Sequence, residues 1–271
     1  MHTVEAHGFK LPLVGLGTWT LRGRECARLV EQAIRAGYRA IDTAQMYENE
    51  REVGEGVRNS GKRAEVVVTT KVQPTLLAPH DLERSVKESL AKLRLDVIDL
   101  LLIHWPNPRV PLVETFGAMA RMKEAGLVRA LGVSNFTVAL LDEATAVSPE
   151  PLICNQIECH PYLDQSKVIA ACHRLGMAVV AYSPIARGSA KGDALLARIG
   201  EAHGKSAAQV CLRYLVQQDI AVVPRTSKVE RLAENLALFD FELSAAEMAE
   251  IAGLAKRAGR IVDWTWSPKW D

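Results

Sequence analysis

Short apolar segments of strand length recur along the chain and alternate with helical patterns. They are rich in Val, Ile and Leu, and they begin near residues 13, 38, 66, 97, 128, 153, 178 and 221. Successive starts are about 25 to 31 residues apart, except for a last interval of about 43, which is a spacing typical of strand–helix units. Near-continuous apolar strands are typical of parallel sheets that helices cover on both faces.

Eight such units without a linker predict an α/β fold, a single closed (β/α)8 TIM barrel in one domain over residues 1–271. The opening residues VEAHGFKLP predict a small N-terminal hairpin that turns at His7-Gly8. An extra C-terminal helix is expected from Ser244 to Ala258, followed by the aromatic tail IVDWTWSPKWD. A doubly wound sheet is the weaker architecture, because GLGTWT lacks the third glycine and the following helix of a dinucleotide-binding fingerprint.

Two residues mark expected helix ends. Gly37 follows an amphipathic segment and predicts the end of the first helix, and Asp81 is expected to cap the segment LERSVKESLAKL. The formal net charge is +1, so nothing in the charge indicates binding to nucleic acid or to an anionic membrane. No apolar run approaches the roughly 18 residues of a membrane span. The first residues lack the pattern of a secretory signal, so a cytoplasmic protein is expected.

The five cysteines are scattered and include no Cys-x-x-Cys pair, which is unlike a disulfide framework. Cys159-His160 and Cys172-His173 are the segments that suggest a metal, but their spacing matches no zinc pattern. We therefore expect reduced, mostly buried thiols and no metal site.

Titratable side chains stand at the ends of three consecutive predicted strands. Asp42 ends the second strand with Tyr47 on the loop beyond it, Lys71 ends the third, and His104 ends the fourth. Catalytic residues of such barrels lie at the carboxyl ends of the strands, so these four side chains are expected to meet. Each residue alone is equally well explained as part of a structural ion pair or as a core histidine. Four together favour a catalytic site.

The combination predicts a particular kind of chemistry. A tyrosine hydroxyl has an ordinary pKa of about 10, and a neighbouring ammonium is expected to lower it. Asp42 would hold Lys71 charged, and His104 would orient a bound carbonyl oxygen. There is no pair of a nucleophile with its base, so the site is suited to protonating an oxygen while another group delivers an electron pair.

Several motifs resemble the signatures of the aldo-keto reductase superfamily, in the same order and over nearly the whole chain. They are DTAQMYENE, TTK, IHWP, GVSNF (132–136), NQIE (155–158), AYSP (181–184) and PRTSKVERLAEN (224–235). The HWPNP loop and the closing SPKWD look most like bacterial 2,5-diketo-gluconate reductases, which also reduce methylglyoxal and related small carbonyls.

The resemblance implies an NADPH-dependent oxidoreductase that converts the carbonyl group of a small polar aldehyde, α-dicarbonyl or keto-sugar acid to an alcohol. Asp42, Tyr47, Lys71 and His104 would form its catalytic tetrad, with Tyr47 as the general acid. Because relatives are commonly monomers, a monomer whose partner is a small-molecule carbonyl substrate is expected.

The same resemblance assigns candidate cofactor contacts. They would hold the nicotinamide carboxamide, stack on its ring, cross the pyrophosphate, or contact the adenosine 2′-phosphate and adenine. They are Gly17, Thr18, Trp19, Asp42, Ser134, Asn135, Gln156, Tyr182, Ser183, Pro184, Ile185, Ala186, Arg187, Gly188, Pro224, Arg225, Thr226, Ser227, Lys228, Arg231, Glu234 and Asn235. Relatives often have Lys-Ser where this chain has Arg225-Thr226. A solvated basic helix start is the alternative interpretation of the last segment.

The candidate substrate contacts are Trp19, Tyr47, His104, Trp105 and Trp266. Trp264 is a further candidate, because the position of either tail tryptophan depends on how the tail folds back. Two other functions stay open from the sequence. One is an NADPH-binding regulatory barrel with little turnover, and the other is a barrel hydrolase or isomerase that pairs His104 with Glu158 as the base.

Overall fold

The computed structural model describes residues 2–256 and 259–271 of the 271-residue chain. Strands β1 (Thr3–Ala6) and β2 (Phe9–Pro12) form the predicted antiparallel hairpin, and His7 and Gly8 at its turn both have positive φ. The hairpin leads directly into the first barrel strand. Its inward side chains are part of the main hydrophobic core, so it lies against the end of the barrel where the strands begin.

Eight parallel strands follow, and each is hydrogen-bonded to the next one along the chain. They are β3 (Leu16–Gly17), β4 (Ala40–Asp42), β5 (Val67–Val72), β6 (Ile98–Ile103), β7 (Val128–Ser134), β8 (Leu152–Glu158), β9 (Ala178–Tyr182) and β10 (Ala221–Val222). Each strand overlaps a predicted apolar segment, and β6 and β8 are buried along their whole length, as strands covered by helices should be.

The first and last barrel strands close the sheet on itself. Parallel bridges join Val14 to Val222 and Gly17 to Arg225. A Cβ atom at Gly17 would lie 2.6 Å from the carbonyl oxygen of Val223, so only glycine allows the two backbones to approach this closely. The predicted (β/α)8 barrel is confirmed.

The helices cover the outside of the barrel and continue past its last strand. They are α1 (Gly23–Ala36), α2 (Glu50–Asn59), α3 (Pro79–Leu93), α4 (Leu112–Glu124), α5 (Val138–Val147), α6 (Ser166–Arg174), α7 (Ala194–His203), α8 (Ala207–Val216), α9 (Glu230–Leu236) and α10 (Ala245–Ala252). Within the described residues, no helix is both long enough and apolar enough to cross a membrane.

Two helix ends differ from the prediction. Gly37 does end α1, with a φ of 116°. However, α3 begins at Pro79, and Asp81 is its third residue rather than its cap, because proline suits the first turn, where its missing N–H is no loss. A capping box between Ser244 and Glu247 starts α10, but the helix ends at Ala252. The predicted end at Ala258 lies outside the described residues.

The thiols of all five cysteines are buried and free. Burial raises the pKa of Cys26 and of Cys159 to about 12, so these thiols stay protonated at neutral pH. The cysteines therefore behave as small apolar core residues.

Candidate active site

The carboxyl ends of the barrel strands surround a cavity of about 730 Å³. Asp42 is the last residue of β4, and Tyr47 ends the short 3₁₀ turn Gln45–Tyr47 that follows it. His104 comes directly after β6, and all three side chains line the cavity. The fourth predicted residue, Lys71 in β5, has no exposed surface and lies below them.

The Lys71 ammonium makes three contacts. Its Nζ atom donates to Oδ1 of Asp42 at 2.6 Å and to the carbonyl oxygen of Thr43 at 2.9 Å, and it lies 3.3 Å from the hydroxyl oxygen of Tyr47. The other carboxylate oxygen of Asp42 accepts from Nε2 of Gln156 at 2.7 Å. A buried ion pair is stable only when its remaining groups are hydrogen-bonded, and this pair meets that condition.

The pKa of Tyr47 does not follow the expectation from sequence. Burial, and then the negative charge of Asp42, raise it well above the ordinary value for a phenol. The expected lowering by Lys71 is absent because Asp42 neutralises that ammonium from 2.6 Å away. In this state Tyr47 is a neutral phenol that holds its proton beside a cation, which is the resting form of a general acid.

His104 is buried and edge-on to Tyr47, with their ring centroids 5.6 Å apart. Burial, and then the positive charge of Lys71, lower the pKa of His104 well below its ordinary value, so the imidazole is neutral. Its Nδ1 atom is buried and has no partner within the described part of the chain. A neutral imidazole carries one N–H donor, which suits it to orienting an oxygen acceptor in the cavity.

The polar residues at the carboxyl ends of β7, β8 and β9 are bonded to one another. Asn135 has a φ of 63°, and its side chain accepts from the Tyr182 hydroxyl at 2.8 Å and donates to the carbonyl oxygen of His104 at 2.9 Å. The Ser134 hydroxyl donates to the carbonyl oxygen of Gln156 at 2.8 Å. This network fixes the Tyr182 ring beside the cavity, where a flat group could stack on it.

A positively charged arm of the cavity is formed after β10. Arg225, Lys228 and Arg231 line it, together with Lys191 from the loop after β9. Burial, and then the charge of Arg231, lower the pKa of Lys191, with Lys228 acting in the same direction and Glu234 against it. Such a cluster is suited to binding a dianion.

Most of the predicted cofactor and substrate residues line this cavity, and five do not. The five are Thr18, Ser134, Ala186, Pro224 and Trp266. Thr18 instead supports the site, because its hydroxyl donates to the carbonyl oxygen of Asp42 at 2.9 Å. Trp266 packs edge-on against Trp105 at 5.0 Å between centroids.

Other lining residues were missed by the sequence analysis. They are Thr20, Met46, Lys191, Ser206, Ala207, Ala208, Val223 and Val262, whereas Trp264 was a candidate from the sequence and does line the cavity. Met46 and Lys191 could have been found by extending the motifs around Tyr47 and Gly188. Val262 could not, because its placement depends on contacts of the tail with distant parts of the chain.

Glu158, the base required by a hydrolase or isomerase mechanism, does not line the cavity. Its carboxylate accepts hydrogen bonds from the backbone N–H groups of Ile261 and Val262. In residues 2–256 and 259–271, no three His, Cys, Asp or Glu side chains are grouped so that they could hold a metal ion.

Comparison with known proteins agrees with this geometry. A sequence model of the Aldo/keto reductase family matches residues 13–256. Methylglyoxal reductase DkgB of Yersinia pestis is 40% identical over 265 residues, which cover 96% of this chain and 99% of that protein.

Solved structures are similar over the whole chain. A crystal structure that carries the provisional name 2,5-diketo-D-gluconic acid reductase B has a TM-score of 0.98 and 47% identity, and the match covers 100% of this chain and 98% of that one. A Bombyx mori aldo-keto reductase in complex with NADP has a TM-score of 0.90 and 34% identity, covering 97% and 95% of the two chains.

The lowered pKa of His104 predicts how stability depends on pH. As pH falls below about 6.5, the unfolded chain binds a proton at this residue that the folded chain does not, so up to about 2 kcal/mol of stability is lost between pH 7 and pH 5. His104→Gln should remove that part of the pH dependence. Urea unfolding at both pH values measures it, with His173→Gln at an exposed site as the matched control. An unchanged loss in His104→Gln would contradict a neutral His104.

Proposed function

The chain belongs to the aldo/keto reductase family of oxidoreductases, and we propose that it reduces the carbonyl group of small polar aldehydes, α-dicarbonyls or keto-sugar acids to an alcohol with NADPH. The observation that carries this proposal is the neutral Tyr47 phenol, whose oxygen lies 3.3 Å from a buried ammonium. A proton donor in that setting can protonate an oxygen and be stabilised as it loses the proton.

The cavity is lined by groups that suit a nicotinamide dinucleotide. Tyr182 is hydrogen-bonded to Asn135, Gln156 also lines the cavity, and the cationic arm supplies the positive charge. Tyr182, Asn135 and Gln156 would hold the nicotinamide end of the dinucleotide. The cations of the arm, such as Arg225 and Lys228, would hold its phosphates. When bound, the reduced dinucleotide supplies the hydride that reaches the carbonyl carbon.

Tyr47 then supplies the proton. As negative charge develops on the carbonyl oxygen, the Tyr47 hydroxyl donates its proton to that oxygen and becomes a phenolate. Lys71 stabilises the phenolate from 3.3 Å, and Asp42 keeps Lys71 charged and aimed. His104, being neutral, orients the carbonyl oxygen toward Tyr47 without competing as an acid.

Replacing the proton donor tests this role. Tyr47→Phe should lower kcat for methylglyoxal by about 10²- to 10⁴-fold, because positioned proton transfer is worth that much, and should leave NADPH binding intact. NADPH consumption at 340 nm measures turnover, and protein fluorescence measures binding. Tyr214→Phe, which removes a hydroxyl away from the cavity, is the control. A Tyr47→Phe enzyme with wild-type kcat would exclude Tyr47 as the acid. If the wild-type protein binds NADPH without consuming it, the alternative of a regulatory barrel is favoured instead.

The preference for NADPH over NADH rests on the cationic arm. The 2′-phosphate carries close to two negative charges, and an arginine can bind it through two parallel hydrogen bonds. A charge-assisted hydrogen bond contributes about 1.5–3 kcal/mol, or roughly 10- to 100-fold in affinity. Arg225 and Lys228 are exposed and Arg231 is half-buried, so screening by salt holds the effect toward the lower figure.

Removing the arginines should therefore weaken NADPH binding by about tenfold each and leave NADH binding nearly unchanged. Fluorescence titration of Arg225→Ala and Arg231→Ala with both cofactors makes the comparison. Arg174→Ala, on the outer surface of α6 where it pairs with Asp142, is the control. Equal losses for NADPH and NADH would show that these arginines hold the shared pyrophosphate or the fold.

The substrate class follows from the shape of the cavity mouth. The loop 106–111 after Trp105 is short, and none of its residues lines the cavity. It folds back on itself and on the preceding loop instead, with Asn107 donating to the carbonyl oxygen of Pro74 at 2.8 Å. The loop therefore offers no apolar surface to a bound substrate, and a large apolar substrate gains little from it. This favours the small polar carbonyls that relatives are named for.

A panel of carbonyl compounds tests this preference. Methylglyoxal and 2,5-diketo-gluconate should have a higher kcat/KM than a bulky steroid ketone, because the short loop 106–111 gives the steroid no apolar contact. NADPH consumption measures each compound, and propionaldehyde, which has one carbonyl, controls for the second carbonyl of methylglyoxal. A higher kcat/KM for the steroid would contradict the assignment of substrate class.

A further inference from the structure

Glu158, the last residue of β8, is a buried carboxylate that the proposed chemistry does not use. Its side chain has no exposed surface. Oε1 accepts from the backbone N–H of Ile261 and Oε2 accepts from that of Val262, both at 2.7 Å, and Nε2 of His160 lies 2.9 Å from Oε1. Glu158 is thus bonded to a segment more than 100 residues later in the chain.

These contacts account for the burial of the charge. A buried carboxylate is unfavourable unless its oxygens are hydrogen-bonded, and both oxygens of Glu158 are. Burial alone would raise the pKa of Glu158, but the bonds from His160, Ile261 and Val262 together lower it, so the group is an anion. The same bonds stabilise the tail. Ile261 and Val262 lie outside any helix or strand, so their backbone N–H groups would otherwise lack a hydrogen-bond partner there.

The segment bonded to Glu158 forms one wall of the cavity. Val262 lines the cavity, and so does Trp264 two residues later. Trp264 is half exposed and stacks on Trp266 at 6.2 Å between centroids, and Trp266 in turn packs on Trp105. The hydrogen bonds from Ile261 and Val262 to Glu158 therefore hold the backbone next to this wall in place. The aromatic rings of Trp264 and Trp266 are themselves partly exposed.

We propose that Glu158 is a positioning residue for substrate binding, which fastens residues 261–262 of the tail so that Val262 and Trp264 stand at the open mouth of the cavity. Glu158 touches neither the substrate nor the cofactor. The inference rests on the proposed reductase function in that the wall faces a carbonyl substrate. It does not depend on which carbonyl is the natural one.

Glu158→Gln is the test, since glutamine keeps the size of the side chain but replaces one acceptor oxygen with an NH₂ group that faces a backbone donor. The KM for methylglyoxal should rise about tenfold, while kcat and the Kd for NADPH should stay within about twofold, because only ground-state positioning of the substrate is lost. A fall in kcat of similar size with unchanged KM would overturn the proposal, since the residue would then act on the chemical step.

Glu247→Gln is the matched control. Glu247 also lies 2.9 Å from a histidine, His203, and also accepts from a backbone N–H, that of Ser244, but it belongs to α10 and does not line the cavity. It should leave KM unchanged. A tenfold rise in KM in this variant as well would mean that any loss of a carboxylate–histidine contact has this effect, which would overturn a specific role for Glu158.

Trp264→Ala, alone and combined with Glu158→Gln, shows whether Glu158 acts through the tail. If it does, the rise in KM of the double variant should be clearly smaller than the product of the rises in the two single variants. Independent, multiplying effects would contradict the proposal.

Hydrogen exchange on the wild-type protein decides the structural part without any variant. The amides of Ile261 and Val262 should be protected about 100-fold or more relative to a free chain, whereas the amide of the exposed Thr265 should not be. Exchange at free-chain rates at both positions would overturn the proposal. This result stands even if the wild-type protein consumes no NADPH, so failure of the proposed function is distinguishable from failure of this inference.

Discussion

The ion pair between Lys71 and Asp42 is the interaction on which the rest of the site depends. An ammonium with no exposed surface inside a barrel is strongly unfavourable unless a partner compensates it. Asp42 does so from the neighbouring strand, and Gln156 holds the second oxygen of that carboxylate from across the barrel. Strands β4, β5 and β8 are thereby held in one arrangement at their carboxyl ends. The same ammonium contacts Tyr47, so the position of the proton donor follows from the packing of the core.

Beside the proton donor, the Lys71–Asp42 ion pair is surrounded by neutral groups. Burial raises the pKa of Tyr47 and lowers that of His104, and both side chains are uncharged as a result. Few water molecules can screen charge in such a setting, so an ammonium and fixed dipoles act strongly on any charge that forms on a bound oxygen. The site is prepared for a charge that exists only during reaction.

Much of this could be predicted from the sequence, because the signals are local. The regular spacing of apolar segments predicted the barrel, and titratable residues at strand ends predicted which side chains would meet. The predicted start of α3 was wrong. Asp81 matched a capping pattern, but Pro79, two residues earlier, fits the first turn of a helix better. The tail could not be placed at all from local patterns. Trp264 lines the cavity and Trp266 does not, and the tail that carries both is bonded to Glu158 through Val262. Such contacts between distant residues leave no periodicity in the sequence.

The way the barrel closes has a consequence for its motions. Along most of the sheet, neighbouring strands pair over several residues, but β3 and β10 are two residues long each and meet through the bridges Val14–Val222 and Gly17–Arg225. Opening of a protein begins where few backbone bonds must break, so the barrel is expected to open around the seam between these two short strands, where β3 and β10 also pair with their other neighbours over only two residues. Arg225 belongs both to the seam and to the cationic arm of the cavity. An anion bound to the cationic arm therefore also stabilises the seam through Arg225. The protein with a bound anion should resist thermal unfolding and proteolysis better than the protein without one.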